Sequence, residues 1–389
     1  MNAFATIQQI VLAAKEKLPR EVWEYVTFGA ESETTVRRNR FALDSLAFRP
    51  RIMRDTSEID PATELLGARL RIPALLAPIG SISRFDPTGA AAAARAAAAF
   101  GTTAVIASHA KNELAGFSDR DHASLIYGLI PSMDLGTVEA EVEAVCSAGF
   151  RAISVATQSG WYSRRERDIA NQLFGKGQPT RPYASFLAQQ REEREAGRPA
   201  SKEGLGRAVL SWSLLERIVA RATVPVMVKG VQTGADAVLA VEHGAAALYL
   251  SNNGGRALDH ARSAVEILPE VVDAVGGRVP VIVDGGVCRA SDILKACALG
   301  ANAVCVGRLQ AWALAAGGEA GVVRMLELLE EEMIVAMGLL GVNQVSELTP
   351  DYLERVQPCT PPHPLSAFPI AMEREAAGLA SDRNVRPVC

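Results

Sequence analysis

The sequence predicts a (β/α)8 TIM barrel, an α/β fold. Eight short β-rich runs recur between residues 70 and 310, and each is followed by a small loop and a helical stretch. Alternating β and α segments imply a parallel sheet, and about eight such units close a barrel. The runs are Ile72–Ala77, Thr102–Ala107, Ser124–Ile130, Arg151–Thr157, Val224–Lys229, Ala246–Ser251, Val279–Val283 and Ala303–Val306. Most are continuously apolar, as strands covered on both faces must be. A doubly wound sheet is the competing arrangement. It is disfavoured because no GxGxxG follows the first run, and Gly175-Lys176-Gly177 lies in a polar loop.

The flanking elements complete one domain over 1–389. Residues 1–65 read as a helical cap, with 5–45 helical and Arg37, Arg38 and Arg40 on a solvated face. The opening MNAFATIQQIVLAAKEKLPR reads as an amphipathic helix ending near Pro19 and lacks the layout of a signal peptide. The barrel spans 66–340 and ends in a long amphipathic helix over 320–340. After the fourth run, residues 170–208 form a polar, charged insertion, of a length that serves as a lid or stays disordered. From Gln357 to 389 the proline-rich tail reads as an extended arm.

Composition narrows the function classes. Of 389 residues, 49% are hydrophobic and 22% charged, so a sizeable core forms. A formal charge of -4 favours neither nucleic acid nor an anionic membrane. No apolar run is long enough to span a bilayer, since Arg95 interrupts the alanine-rich stretch 90–99. The six cysteines (146, 288, 297, 305, 359, 389) form no CxxC pair, and the expectation is reduced thiols in a cytoplasmic protein. No HExxH or similar spacing suggests a metal.

In such a barrel the reactive groups sit at the C-terminal ends of the strands. The first run is followed there by Pro78-Ile79-Gly80, the second by Ser108-His109, and the third ends in Gly128-Leu129-Ile130. The fourth gives Gln158 and then Arg164-Arg165-Glu166, the fifth Lys229-Gly230, and the sixth Ser251-Asn252-Asn253-Gly254-Gly255-Arg256. The seventh gives Asp284-Gly285-Gly286 and the eighth Gly307-Arg308. These last two segments occupy the common phosphate site of the fold. Glycines let backbone N–H groups approach an anion there, and Arg308 adds charge; two tight turns would give the same pattern. Lys229 closes the apolar run VPVMVKG, so its ammonium enters the barrel mouth and needs a partner, either a ligand or a structural ion pair.

From about Leu18 to Leu353 these residues carry a family likeness. The chain resembles the FMN-dependent α-hydroxy acid oxidases and dehydrogenases, such as glycolate oxidase, lactate oxidase and mandelate dehydrogenase. The motifs are LPREVWEYVTFGAESETT, FRPRIMRD, IPALLAPIG, SRRERDI, VPVMVKGV, SNNGGRALD and VIVDGGVCRASDILKACALGANAVCVGR. The resemblance implies FMN as cofactor, a small carboxylic acid as substrate and a homo-oligomer, tetrameric as in the family. It places Pro78, Ile79, Gly80 and Ser108 along the flavin, and Lys229 beside the flavin N1–C2=O edge, where its charge stabilises the anionic reduced form. Ser251, Asp284, Gly285, Gly286, Arg289, Gly307 and Arg308 fall to the cofactor's remaining contacts, chiefly the ribityl chain and phosphate. Tyr25, Arg165 and Arg256 match positions that grip a substrate carboxylate, a task suited to planar guanidinium forks.

Several positions depart from the family pattern. Its signature Ser-Asn-His-Gly carries the catalytic base, and here that histidine is Asn253, whose amide cannot accept a proton at neutral pH. The aspartate that orients the histidine falls at Gln158 counting back from Arg165, or at Ala156 if the strand is aligned. The family's tyrosine and glutamine on the third strand match Ile130 and Gly128, and the tryptophan after the second matches His109. One phosphate-loop arginine matches Cys288, with Arg289 adjacent.

The sequence therefore predicts an FMN oxidoreductase acting on a small, α-hydroxy acid-like carboxylate, with Asn253, Lys229, His109 and Arg256 at the reacting atoms and Tyr25, Arg165, Gln158 and Ile130 around the substrate. His109, a water or the substrate itself would take the proton. The alternatives are another flavin reaction on the same scaffold, such as oxygenation, decarboxylation or isomerisation, or a flavin-binding protein that has lost catalysis. Of the remaining histidines, His260 reads as a capping-region residue, and His122, His243 and His363 carry no expected role. Trp161 and Tyr162 either close over the substrate or pack under the insertion.

Overall fold

Three helices open the chain in the computed structural model, which describes residues 4–132, 134–158, 163–171, 173, 191–192, 194–197 and 210–374. Helix α1 (Ile7–Lys17) starts on a capping box between Thr6 and Gln9, and its buried stripe Ile7, Ile10, Val11 and Ala14 has helical spacing. Helix α2 (Arg20–Thr27) carries Tyr25, and α3 (Thr34–Asp44) carries Asn39 and Arg40. Arg37 is exposed, as expected, but Arg40 is not. It is buried 2.7 Å from Asp292 and is also paired with Asp44. A guanidinium leaves water where acceptors such as carboxylates replace its hydration, and Asp292 is 252 positions away in the chain.

Strand β1 (Leu46–Phe48) follows, and then the hairpin β2 (Thr63–Leu65) and β3 (Ala68–Leu70). The barrel itself is β4 (Ala74–Leu76), β5 (Ala104–Ala107), β6 (Leu125–Leu129), β7 (Ala152–Ala156), β8 (Val226–Val231), β9 (Ala247–Leu250), β10 (Val281–Val283) and β11 (Ala303–Val306). These strands pair in chain order, all parallel, and β11 pairs with β4 to close the barrel. The fold is thus the (β/α)8 barrel, and each predicted run coincides with one strand, β8 extending past its run to Val231. A last strand, β12 (Leu353–Arg355), pairs antiparallel with β1.

The helices between strands are α4 (Gly89–Phe100), α5 (Asp119–His122), α6 (Leu135–Ser147), α7 (Glu166–Ala170), α8 (Trp212–Arg221), α9 (Gly234–Glu242), α10 (Ala264–Val275) and α11 (Ala290–Ala298). The helix expected at 320–340 is the second half of α12 (Arg308–Leu340), which breaks at Gly317 and Gly318. Among the described residues no helix is long and apolar enough to cross a membrane. The segment read as an extended arm folds back: Leu365 and Phe368 are fully buried, and the Phe368 ring meets Trp312 edge-on at 5.9 Å. Most of the insertion 170–208, together with Trp161, Tyr162 and Gly175–Gly177, lies outside the described residues.

Two cores follow from the period-two alternation of the strands. Outward residues such as Ile106, Tyr127, Ile153 and Val228 pack under the helices. Inward residues Leu75, Val105, Ile126, Ala152, Met227, Tyr249, Ile282 and Cys305 fill the barrel, joined by Leu65 and Leu70 of the hairpin. Continuing the same alternation toward the C-terminal ends points Ala77, Ala107, Gly128, Ala156, Lys229 and Asp284 inward. Four of these six are alanine or glycine, so the barrel mouth is hollow.

Candidate active site

A cavity of about 790 Å³ opens at that mouth, lined by all six of these residues and by the loops that follow the strands. Its size suits a cofactor with a small ligand. Strand β8 bulges between Lys229 and Val231, with Gly230 at φ +113°. Lys229 is 7% exposed and donates to Ser251 Oγ at 2.9 Å. Its Nζ lies 3.9 Å from Asp284 Oδ2 and 5.0 Å over the Tyr249 ring. Tyr249 donates to the same Oδ2 at 2.8 Å, while buried Asp284 Oδ1 accepts no hydrogen bond among the described residues. Burial, then Asp284 and Cys305, push the Tyr249 phenol well up, so it stays a donor.

At the adjoining end, Gly285, Gly286, Gly307 and Arg308 line the wall. Gly286 holds φ +86°, and a Cβ there would fall 3.0 Å from Asn39 O; only glycine fits. Its carbonyl accepts from Arg40, and Asn39 exchanges two hydrogen bonds with Asn252, so α3 braces both loops. Arg308 opens α12 and donates to three carbonyls, those of Thr27 (3.0 Å), Phe28 (3.1 Å) and Gly254 (2.8 Å). Burial, and then Arg256, push it down to about 9, still cationic at neutral pH.

Beside Arg308, Tyr25 lies near two further guanidiniums, and one of them, Arg256, shares the Phe28 carbonyl with Arg308. Arg256 is 4.4 Å from the centre of its ring and Arg165 is 5.3 Å away. Burial pushes the Tyr25 phenol up, but Arg256, Arg165 and a hydrogen bond with Ser81 outweigh it and bring it below its ordinary value. Burial and then Arg165 push Arg256 down, although carbonyls of Tyr25 and Phe28 hold its Nη1. Two guanidiniums this close need an anion, and a phenol beside them supplies a donor.

The residues expected in place of an acid–base pair face the same cavity. Asn253 is exposed to the cavity at φ +55°, its N–H bonded to Ser251 Oγ at 3.0 Å. Gln158 and Ala156 both line the wall. Gln158 Oε1 is buried and has no hydrogen-bond partner among the described residues. His109, Ile130, Pro78, Ile79 and Gly80 line it as well. Ser108 and Ser251 sit one layer back; Ser108 Oγ accepts from the Ile130 N–H at 3.4 Å.

Arg289 is a correction. Expected at the phosphate, it does not line the cavity; its guanidinium pairs with Glu332 on α12 at 2.7 Å. The wall position belongs to Cys288, a buried thiol that burial pushes up to about 12 despite Arg40. Sequence reading also missed Arg40, Ser154 and Asp168, all on the wall. Ser154 had a usable signal, since it alternates with Ala152 and Ala156 on β7.

The donor set fits FMN. A half-buried cation whose hydrogen bonds among the described residues all go to carbonyls suits an anion, and Gly285, Gly286 and Gly307 line the same space beside the α12 N-terminus without side chains in the way. The unpartnered Asp284 Oδ1 suits a hydroxyl donor, as a ribityl chain offers.

Comparison with known proteins agrees with this fit. A family profile described as FMN-dependent dehydrogenase matches residues 14–355. The chain is 35% identical to glycolate oxidase 1 of Oryza sativa subsp. indica over 356 residues, covering 90% of this chain and 95% of that one. It is 36% identical to glycolate oxidase of Spinacia oleracea over 344 residues, covering 87% and 93%. Among solved structures, mandelate oxidase superposes with a TM-score of 0.78 at 32% identity, covering 92% of this chain and 100% of that one.

Proposed function

Because the chain belongs to the FMN-dependent dehydrogenase family and uses FMN, we propose that it oxidises a small carboxylate-bearing substrate with its usual histidine–aspartate dyad replaced. The observation that carries this reading is the Tyr25–Arg165–Arg256 cluster, facing the same cavity as Lys229 and Arg308. Glycolate oxidases and mandelate oxidase, the relatives it resembles, are named for α-hydroxy acids.

Each residue then has a task. Gly286, Gly307 and Arg308 would hold the FMN phosphate, and Asp284 would accept from a ribityl hydroxyl. When bound, FMN supplies the acceptor for a hydride equivalent. Lys229, fixed by Ser251, keeps a positive charge where that acceptor gains negative charge. Arg165 and Arg256 fork the substrate carboxylate, and Tyr25 adds a hydrogen bond. Asn253 can orient a substrate hydroxyl by hydrogen bonding but cannot take its proton. His109, exposed on the same wall, carries an imidazole that can receive it.

A second reading, a flavin reaction that needs no base, draws on Asn253 and Gln158, two carboxamides in place of an acid–base pair.

Binding separates the carboxylate reading from a neutral-ligand site. In titrations of the holoprotein followed by FMN absorption, acetate and benzoate should bind about ten- to a hundredfold more tightly than acetamide and benzamide. That is the range of a hydrogen bond to a charged group. Arg256→Met should abolish the preference. Equal affinity for acid and amide would overturn the reading.

A further inference from the structure

Among the described residues two carboxylates face the cavity. Asp284 is engaged by Tyr249 and lies near Lys229. Asp168, on the short helix α7, stands with Arg165 and Arg256 and is 6% exposed. Its Oδ2 lies 3.0 Å from Arg165 Nε, close enough for an ion pair. Neither atom is aligned for a hydrogen bond, and no other donor reaches Oδ2 among the described residues. A buried carboxylate oxygen without a donor keeps most of its desolvation cost. At Oδ2 the pairing is by charge alone.

We propose that Asp168 is a proton-linked counter-charge: it balances Arg165 before a ligand arrives and takes up a proton when a substrate carboxylate settles on Arg165 and Arg256. The inference rests on reading that cluster as the carboxylate site. An incoming anion competes for Arg165 and adds its own repulsion to a largely buried carboxylate. Protonation removes the repulsion and turns an orphaned acceptor into a neutral hydroxyl. The proton comes from solvent, one O–H bond forms on Asp168, and the net charge of the site is unchanged by binding.

The groups facing Asp168 support this. Burial pushes its carboxyl above the ordinary range. Arg165, Arg256 after β9 and Arg84 after β4 oppose that shift without cancelling it, and Glu24 on α2 adds to it. Burial and Glu24 thus already favour the protonated form, and a substrate anion acts in the same direction.

The sign follows from linkage. Below the ligand-free pKa of Asp168 the proton is already present, and affinity for a carboxylate is flat. Above it, affinity falls by about tenfold per pH unit, until the pH passes the raised pKa of the bound state.

Calorimetry of benzoate binding to the holoprotein tests this, in paired buffers of different ionisation enthalpy, from neutral to mildly alkaline pH. The wild type should take up a proton on binding, approaching about one per benzoate, and Asp168→Asn should take up none. At alkaline pH the Asn variant should bind benzoate more tightly than the wild type. Binding by the wild type without proton uptake overturns the inference even if the variant does not fold. Equal uptake in Asp168→Asn also overturns it and assigns the proton to Tyr25 or His109. If benzoate fails to bind at any pH, the carboxylate-site reading falls and this inference with it.

Discussion

Asn253→His combined with Gln158→Asp should raise the rate of flavin reduction by a simple hydroxy acid by about 10²–10⁴, the range a positioned base contributes. Asn253 faces the cavity, so an imidazole there reaches the reacting ligand. Gln158 places a buried, unpartnered oxygen on the same wall, where a carboxylate can hold the imidazole in one tautomer and stabilise its cation. Ala156 is the weaker site for that aspartate. It is in register with Lys229 across β7 and β8, so a carboxylate at 156 would be drawn to the ammonium. The double variant should exceed either single one, because groups that act as a unit are non-additive. Single-turnover reduction measured for all three variants checks both statements. No gain with any hydroxy acid would mean that the pocket beyond the dyad, including Gly128, Ile130 and His109, is shaped for a different reaction.

Lys229→Met should weaken the sulfite complex of the bound flavin and make the flavin harder to reduce. Both products carry negative charge on the flavin. A unit charge in close contact with another at an effective dielectric of about 20 contributes about 4 kcal/mol. The flavin's charge is spread, so a loss of about ten- to a hundredfold or more in sulfite affinity is expected. Lys229 is buried and fixed by Ser251, which leaves little solvent to screen it. Unchanged sulfite affinity would place the ammonium's role within the Ser251–Asp284 network alone.

The barrel was legible because its signals are local. Apolar runs, turn glycines and helical spacing each occupy a few residues, and seven of the eight strands fall inside the runs that predict them, while β8 continues past its run to Val231. The rim could be read for the same reason, since residues at strand ends must face the mouth. What could not be read depends on distant partners. Arg40 looks like a surface arginine in RRNR until Asp292 and Asp44 close around it. Arg289 and Cys288 are neighbours, and the pairing of Arg289 with Glu332 decides which one turns to the cavity. Asp168 sits in RRERD, a charged run that resembles a solvated face; its burial follows from packing beside α2 and the Arg165–Arg256 cluster. The tail offered prolines as its strongest local signal, and the contact of Phe368 with Trp312 overrode them.

Stopped-flow reduction of the flavin in the wild-type protein by glycolate, lactate and mandelate tests the central claim most directly. With Asn253 where the base should be, each acid should reduce the flavin at least about a hundredfold more slowly than in relatives that carry the imidazole. Reduction at rates normal for the family would contradict the claim and make His109 the first residue to replace.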